Sequence, residues 1–337
     1  MAFLSAVEHA LPEKKVTNEE LSGFMDTSDE WIRTRSGIRE RRWVREGNRS
    51  FVGLTNHDLV YQAARRALES VKLNATDLDL ICYATISPDN EMPGSGAFLK
   101  RALRVENIPV FEIRNQCSGF LYALQVAAAY INNGKAKNCL VIGAEIQSTG
   151  LDLSNKGRNT AVLFADGAGA AILSSENRDN SARLLGVQLF SDGKQAEKLG
   201  VSRPGFQAEK FITLSDFEEN QISIYPFMDG KFVFKSASLR MPEAVRSILK
   251  EHGLTIAQLK VVIPHQANQR IIEMLSQDLG PTVRVFSNIG QYGNTTAASI
   301  PIALSEARLQ GLILKGDLVC LVSFGAGFSW GAALLKW

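Results

Sequence analysis

The strongest constraint in this 337-residue sequence is that it repeats itself. Leu73-Asn74-Ala75-Thr76-Asp77-Leu78-Asp79-Leu80-Ile81 aligns with Leu254-Thr255-Ile256-Ala257-Gln258-Leu259-Lys260-Val261-Val262, 181 residues later. Asn138-Cys139-Leu140-Val141-Ile142 returns as Leu318-Val319-Cys320-Leu321-Val322 at an offset of 180, and the polar turn holding Cys117 answers the Gly-rich turn ending at Asn294 at 177. A period this long is not a solenoid unit; two copies of one helix-strand unit, hence a duplicated α/β fold, account for it. The chain also exceeds the length that a single core fills comfortably. The polar stretch around Ser175, Glu176 and Asn177 sets a boundary near 175, dividing the chain into an N-terminal half, 1–175, and a C-terminal half, 176–337. Segment 191–226 departs from the repeat and is expected to cap the site or the junction between the halves.

Apolar periodicity fills in each copy. Leu59, Val60, Ala63, Ala64, Ala67 and Leu68 have helical spacing, and residues 78–84, 109–113, 138–144 and 161–171 form strand-like apolar runs. The glycines at 167 and 169 lack the GxxxxGK[ST] context of a phosphate loop, so close backbone packing is their expected role. With 45% hydrophobic and 21% charged residues the chain is an ordinary globule, and no apolar run approaches a bilayer span. A net charge of +2 is too small to point to nucleic acid. The opening residues show neither a basic start nor a long apolar stretch, so a cytoplasmic protein without a signal peptide is expected.

The four cysteines form no CxxC pair and no metal-ligand spacing with the four histidines, so neither a disulfide frame nor a metal site is expected. Cys82, Cys139 and Cys320 sit inside apolar runs and read as buried, inert thiols. Cys117 differs, standing in a polar turn between an apolar strand and an Ala/Leu-rich helix. A helix N-terminus favours a thiolate, so the position is expected to lower its pKa; the competing reading is a small buried hydrophobe. Two further turns end apolar runs in the second copy, one presenting His265 and the other Asn294. Strand ends of an open α/β sheet converge on one crevice, which would let Cys117, His265 and Asn294 meet, although a lone histidine or a helix-start asparagine also serves structure alone. Arg33, Arg35, Arg39, Arg41, Arg42, Arg45 and Arg49 cluster around Trp31 and Trp43, either as a solvated face or as a phosphate- and ring-binding surface. The Gly-rich turn Gly325-Ala326-Gly327 allows close backbone approach, where amides can meet a developing oxyanion.

Four segments together are specific: Asn115-Gln116-Cys117-Ser118-Gly119-Phe120, Pro264-His265-Gln266-Ala267-Asn268, Tyr292-Gly293-Asn294-Thr295-Thr296-Ala297-Ala298-Ser299 and Phe324-Gly325-Ala326-Gly327-Phe328-Ser329-Trp330-Gly331. With Thr27-Ser28-Asp29-Glu30-Trp31-Ile32 and Thr34-Arg35-Ser36-Gly37-Ile38-Arg39-Glu40-Arg41 before them, the chain resembles the β-ketoacyl-acyl carrier protein synthase III family of thiolase-like condensing enzymes. The resemblance implies a thiolase-like, duplicated five-layered αβαβα architecture and a homodimer. It implies that Cys117 takes an acyl group from acyl-CoA, and that His265 and Asn294 bind the thioester carbonyl of malonyl-acyl carrier protein. Decarboxylation there would give an enolate that attacks the acyl-cysteine, stabilised by two neutral donors. The amides of Cys117 and Ala326 match the family's other oxyanion hole. Trp31, Arg35, Arg158, Gly230 and Asn268 match CoA-binding positions, Met92 an acyl-pocket gate contributed by the partner subunit, and Lys235 and Arg270 the docking surface for the acyl carrier protein. No cofactor beyond the two thioester substrates is implied, and no metal.

Three positions depart from the family pattern. Arg114-Asn115-Gln116 replaces small apolar residues and resembles specialised relatives such as alkylquinolone synthases. Met92 replaces a phenylalanine, and a flexible thioether would admit a longer or branched chain. Ala326 replaces a glycine, which keeps the amide but restricts φ. The implied reaction is a decarboxylating Claisen condensation, with a specialised alkylquinolone- or polyketide-type synthase or acyltransferase as the alternative. A thiolase is disfavoured, since no second cysteine stands in the Gly325-Ala326-Gly327 turn.

Overall fold

The computed structural model of the chain describes residues 1–46, 50–51, 53–206, 209–217 and 224–337. The repeat appears in it turn by turn. A 3-10 turn at Ala75–Asp77 is matched by one at Ile256–Gln258, each closed by a side chain that reaches back to a backbone amide: Asn74 N donates to Asp77 Oδ2 at 2.8 Å, and Thr255 N to Gln258 Oε1 at 2.8 Å. Each turn follows a long helix, α2 (Asn56–Ser70) or α5 (Gly230–Glu251), and leads into a buried strand, β2 (Leu80–Ala84) or β7 (Val261–Pro264).

Ten strands form one sheet folded into two five-stranded halves. The first half holds β1 (Phe3–Ala10), β2, β3 (Val110–Ile113), β4 (Asn138–Glu145) and β5 (Gly167–Ser174). The second holds β6 (Ala182–Ser191), β7, β8 (Arg284–Val285), β9 (Leu318–Gly325) and β10 (Ser329–Lys336). The order is β8-β7-β9-β10-β6-β1-β5-β4-β2-β3, and β1 joins β6 across the middle by the pairing of Phe3 with Arg183 and Leu4 with Ala182. In each half three neighbouring strands pair in parallel, β3-β2-β4 in the first and β8-β7-β9 in the second, which brings their carboxyl ends to one side.

Two helices, α4 (Gly119–Asn132) and α7 (Ser299–Leu309), are packed between the halves. Phe120, Leu124, Ile300 and Leu304 share one core there with Val141 of β4 and Leu321 of β9. Helix α2, with α3 (Ser95–Leu103), covers the outer face of the first half, through Leu59, Val60, Ala63 and Leu99. Helices α5 and α6 (Gln269–Leu279) cover the outer face of the second, through Val245, Ile248, Ile271 and Leu275. Helix, sheet, helix, sheet, helix is the five-layered arrangement expected.

One detail of the repeat is corrected. The 3-10 turn Gln116–Ser118 corresponds to Thr296–Ala298, at an offset of 180, so the counterpart of Cys117 is Ala297 and not Asn294. The backbone identifies the pair: Gln116 and Thr296, first in their turns, are non-glycine residues at φ +45° and +49°, and Gly119 and Ser299 then open the two inner helices. Asn294 stands before its turn, on a stretch that pairs with Phe164.

Candidate active site

Cys117, His265 and Asn294 line one cavity of about 150 Å³. They come from three places in the chain. Cys117 sits in the turn between β3 and α4, His265 follows the last residue of β7 and donates its amide to Val322 O of β9 at 2.8 Å, and Asn294 precedes the turn into α7. The remaining wall is largely apolar, with Phe234, Met241 and Phe324 among its side chains and Asn268 its other polar one, so few polar groups compete for a ligand.

All four cysteines are buried, as expected for three of them, and only Cys117 reaches the cavity. Its expected low pKa is corrected. Burial pushes the thiol up to about 12, and the Glu145 carboxylate behind it pushes the same way. The end of a helix lowers a thiol pKa only where desolvation does not outweigh it, and the buried Cys117 is a protonated thiol. Glu145 is itself raised to about 7 by burial, although Ser87 Oγ donates to it at 2.6 Å and Ile86 N at 3.2 Å.

His265 is also buried, which lowers its pKa to about 3, so the ring is neutral. Its Nδ1 lies 2.6 Å from Ser299 Oγ. The Asn294 side-chain oxygen accepts from Thr296 N at 2.9 Å, which leaves the amide nitrogen as the group free to act as a donor. The sequence motif contained Ser299 and Thr296, but nothing in their spacing singled them out as partners of the two polar side chains.

The Gly-rich turn joins β9 to β10, and Phe324 and Gly325 form the cavity wall beside Cys117. Ala326 follows with an ordinary φ, so its methyl is accommodated without strain. Among the described residues neither the Cys117 nor the Ala326 amide donates to a backbone carbonyl outside the regular elements, and the Cys117 amide meets its own sulfur.

Of the matched CoA-binding positions, Gly230 and Asn268 line the cavity. Trp31 and Arg35 of α1 (Asp29–Ser36) gather outside it with Arg158, the guanidinium carbons of Arg35 and Arg158 lying 4.3 and 5.2 Å from the Trp31 ring. Asn268 joins the two clusters, donating from Nδ2 to Arg35 O at 2.9 Å while its Oδ1 accepts from Arg270 N. Lys235 and Arg270 are exposed, and neither has an ion-pair partner among the described residues. Met92 is 88% exposed and does not enter the cavity of its own chain. Leu199 of segment 191–226 lines the cavity together with Met228 just beyond it, while residues 207–208 and 218–223 of that region lie outside the described residues.

The arginine cluster is not one face. Arg41 is buried and donates to Asn18 Oδ1 and Val162 O, each at 2.8 Å, and Trp43 is buried with its ring nitrogen on Phe164 O. Arg42 and Arg45 donate to backbone carbonyls, and Arg33 pairs with Asp29. Arg49 lies outside the described residues. The guanidinium groups that meet the flat aromatic are therefore Arg35 and, from far along the chain, Arg158. Among the described residues no group of metal-ligating side chains is found, and no helix is long and apolar enough to cross a membrane.

The chain matches two family models, 3-oxoacyl-[acyl-carrier-protein] synthase III over residues 111–193 and the C-terminal region of the same enzyme over 249–337. It is 42% identical to a β-ketoacyl-[acyl-carrier-protein] synthase III of Desulfotalea psychrophila, over 97% of each chain. With its Clostridium tetani namesake it shares 41% identity over 97% of this chain and 96% of that one. The crystal structure of 3-oxoacyl-[acyl-carrier-protein] synthase III from Aquifex aeolicus matches at a TM-score of 0.87 and 38% identity, covering all of both chains. The priming β-ketosynthase of the R1128 polyketide pathway is similar at a TM-score of 0.86 and 30% identity, covering 100% of this chain and 96% of that one.

Proposed function

This chain belongs to the β-ketoacyl-[acyl-carrier-protein] synthase III family, and from that premise we propose that Cys117, His265 and Asn294 carry out its reaction. The protein is an acyltransferase of the condensing type, which joins an acyl primer to a malonyl unit to initiate fatty-acid synthesis. The observation behind the residue assignment is that these three side chains, with Gly230 and Asn268, line one largely apolar cavity.

In the first half-reaction the Cys117 sulfur attacks the thioester carbonyl of acyl-CoA. The carbonyl oxygen takes up negative charge against the Cys117 and Ala326 amides, and collapse expels the CoA thiolate, which accepts the thiol proton. A thiol pushed up to about 12 suits this route, because proton and acyl group exchange between two sulfurs and no free thiolate need accumulate. In the second half-reaction malonyl-acyl carrier protein replaces CoA. His265 and Asn294 donate to its thioester oxygen, CO₂ leaves, and the enolate carbon attacks the acyl group on Cys117 and expels the sulfur as a thiolate, which takes one proton from solvent to return to the thiol. A neutral histidine and an amide stabilise an enolate without the repulsion that a carboxylate would add. Every group comes from the two substrates, so the reaction needs no cofactor.

The CoA nucleotide is assigned to Trp31, Arg35 and Arg158, with pantetheine passing Gly230 and Asn268 and the carrier protein meeting Lys235 and Arg270. We infer a homodimer formed along β3, an edge strand that exposes Phe111 and Glu112. Met92 then has a pocket to gate in the partner subunit. The cytoplasm, where CoA thioesters are used, is the compartment we assign. The specialised-synthase alternative is less favoured, since the polyketide priming enzyme is 30% identical against 42% and 41% for the synthases above.

Intact-protein mass spectrometry after incubation with acyl-CoA tests the reading. One acyl adduct is expected on the wild type and none on Cys117→Ala, while His265→Ala keeps the adduct and loses condensation. Absence of an adduct on the wild type across acetyl, branched, medium-chain and aromatic CoA thioesters overturns it.

A further inference from the structure

An imidazole that donates to an enolate oxygen must carry its proton on the nitrogen that faces the cavity, and a neutral ring has two tautomers. The wall behind His265 discriminates between them. Its Nδ1 is 2.6 Å from Ser299 Oγ, and both residues are 2% exposed, so water does not compete for either atom. Ser299 Oγ also accepts from Gln266 N at 3.4 Å, and the hydroxyl then has one proton to give. Among the described residues the only acceptor it meets is Nδ1 of His265.

We propose that Ser299 is a positioning residue, donating its hydroxyl proton to Nδ1 and holding His265 as the tautomer that presents Nε2–H to the cavity. The inference rests on the donor role proposed for His265 and adds the group that enforces it. A carboxylate in this place would favour an imidazolium and would make the pair a base, as in a nucleophile-activating triad. A hydroxyl cannot stabilise the cation in that way; it fixes a neutral donor. His265 so held has no free lone pair toward Cys117, in keeping with a thiol proton that travels to the departing CoA sulfur.

Two observations strengthen the assignment. The same short turn orients the second donor, since Thr296 N occupies the Asn294 side-chain oxygen at 2.9 Å and leaves the amide nitrogen for the cavity. Residues 294–299 thus set the polarity of both groups. In addition, the counterpart of Ser299 in the first copy is Gly119, where a Cβ would meet the Cβ atoms of Ala84 and Ala297 at 3.0 and 3.5 Å. Only the copy that delivers the histidine places a hydroxyl at this point.

Nitrogen-15 NMR of histidine-labelled protein reads the tautomer directly, and with four histidines in the chain the His265 signals are assigned by comparison with His265→Ala. A protonated Nε2 and a bare Nδ1 are expected in the wild type, with protonated Nδ1 appearing in Ser299→Ala. Ser299→Ala is expected to form the Cys117 acyl adduct at the wild-type rate. Its kcat for condensation should fall about ten- to a hundredfold, the range seen when histidines lose an orienting partner at metal sites, with little change in KM for malonyl-carrier protein. Ser299→Thr, which restores the hydroxyl, should recover most of that loss. A proton on Nδ1 in the wild type overturns the proposal, and so does a Ser299→Ala protein with wild-type tautomer and condensation rate. If Ser299→Ala does not fold, the wild-type spectrum alone decides. Normal condensation by His265→Ala would instead overturn the donor role of His265 itself.

Discussion

Gly325 of the second repeat presses against Cys117 of the first: a Cβ built on Gly325 would lie 2.9 Å from the Cys117 Cβ and 3.0 Å from its amide nitrogen. Both partners are backbone or backbone-proximal atoms and cannot swing aside. Gly325→Ala should therefore displace the proposed nucleophile and its oxyanion amide together. We expect acyl-adduct formation to slow by about a hundredfold, the cost of misplacing a reacting group by roughly an ångström, with about 1–3 kcal/mol of overpacking lost from stability. Adduct kinetics by mass spectrometry and a denaturant melt measure both; an unchanged adduct rate would show that the turn absorbs the methyl.

Acidification should destabilise the protein through His265. Its folded pKa of about 3 lies below the roughly 6.5 of an unfolded histidine, so protons bind the unfolded chain preferentially. The associated stability is fully present above about pH 6.5 and is lost as pH falls toward 3. Between pH 7 and 5 the loss amounts to about 2 kcal/mol. His265→Gln should lose that much less over the same interval in urea denaturation, and parallel pH profiles for the two proteins would count against a buried neutral ring.

Trp31 and its two guanidinium neighbours make a separable prediction about CoA. Trp31→Ala should raise KM for acyl-CoA about tenfold, the worth of one stacked base, while leaving kcat/KM unchanged for an acyl-pantetheine thioester that lacks the nucleotide. Equal losses on both substrates would place Trp31 in folding and not in nucleotide binding.

For the carrier protein, Arg270→Glu should raise KM for malonyl-acyl carrier protein several-fold and leave acyl-adduct formation from acyl-CoA intact. Because exposed charges are screened over about 10 Å at 0.1 M salt, the difference from wild type should shrink as salt is added. A salt-independent defect would mean that the side chain acts by packing.

The resemblance to known synthases and the repeat were legible in one dimension because they are written in local signals. The motif at Asn74 and Thr255 specifies its turn through residues three apart, and apolar runs specify buried strands wherever they occur. The register of the repeat at Cys117 was not legible in the same way. Glycine-rich spelling pointed to Asn294, whereas the backbone matched Gln116 with Thr296, two residues whose names give no hint of a left-handed φ.

The sequence by itself determined the duplicated α/β architecture, the three polar turns and the family. Only the tertiary structure decided the electrical state of the site. A helix start argues for a thiolate at Cys117, but the sulfur's pKa depends on how completely two packed halves exclude water, and burial carries it upward instead. The same holds for Arg41, which went into the core although its spacing put it in the local cluster, whereas the resemblance had already matched Arg158 to the site of Trp31. Desolvation and long-range contact are properties of the folded assembly of elements, and no local pattern in the chain encodes them.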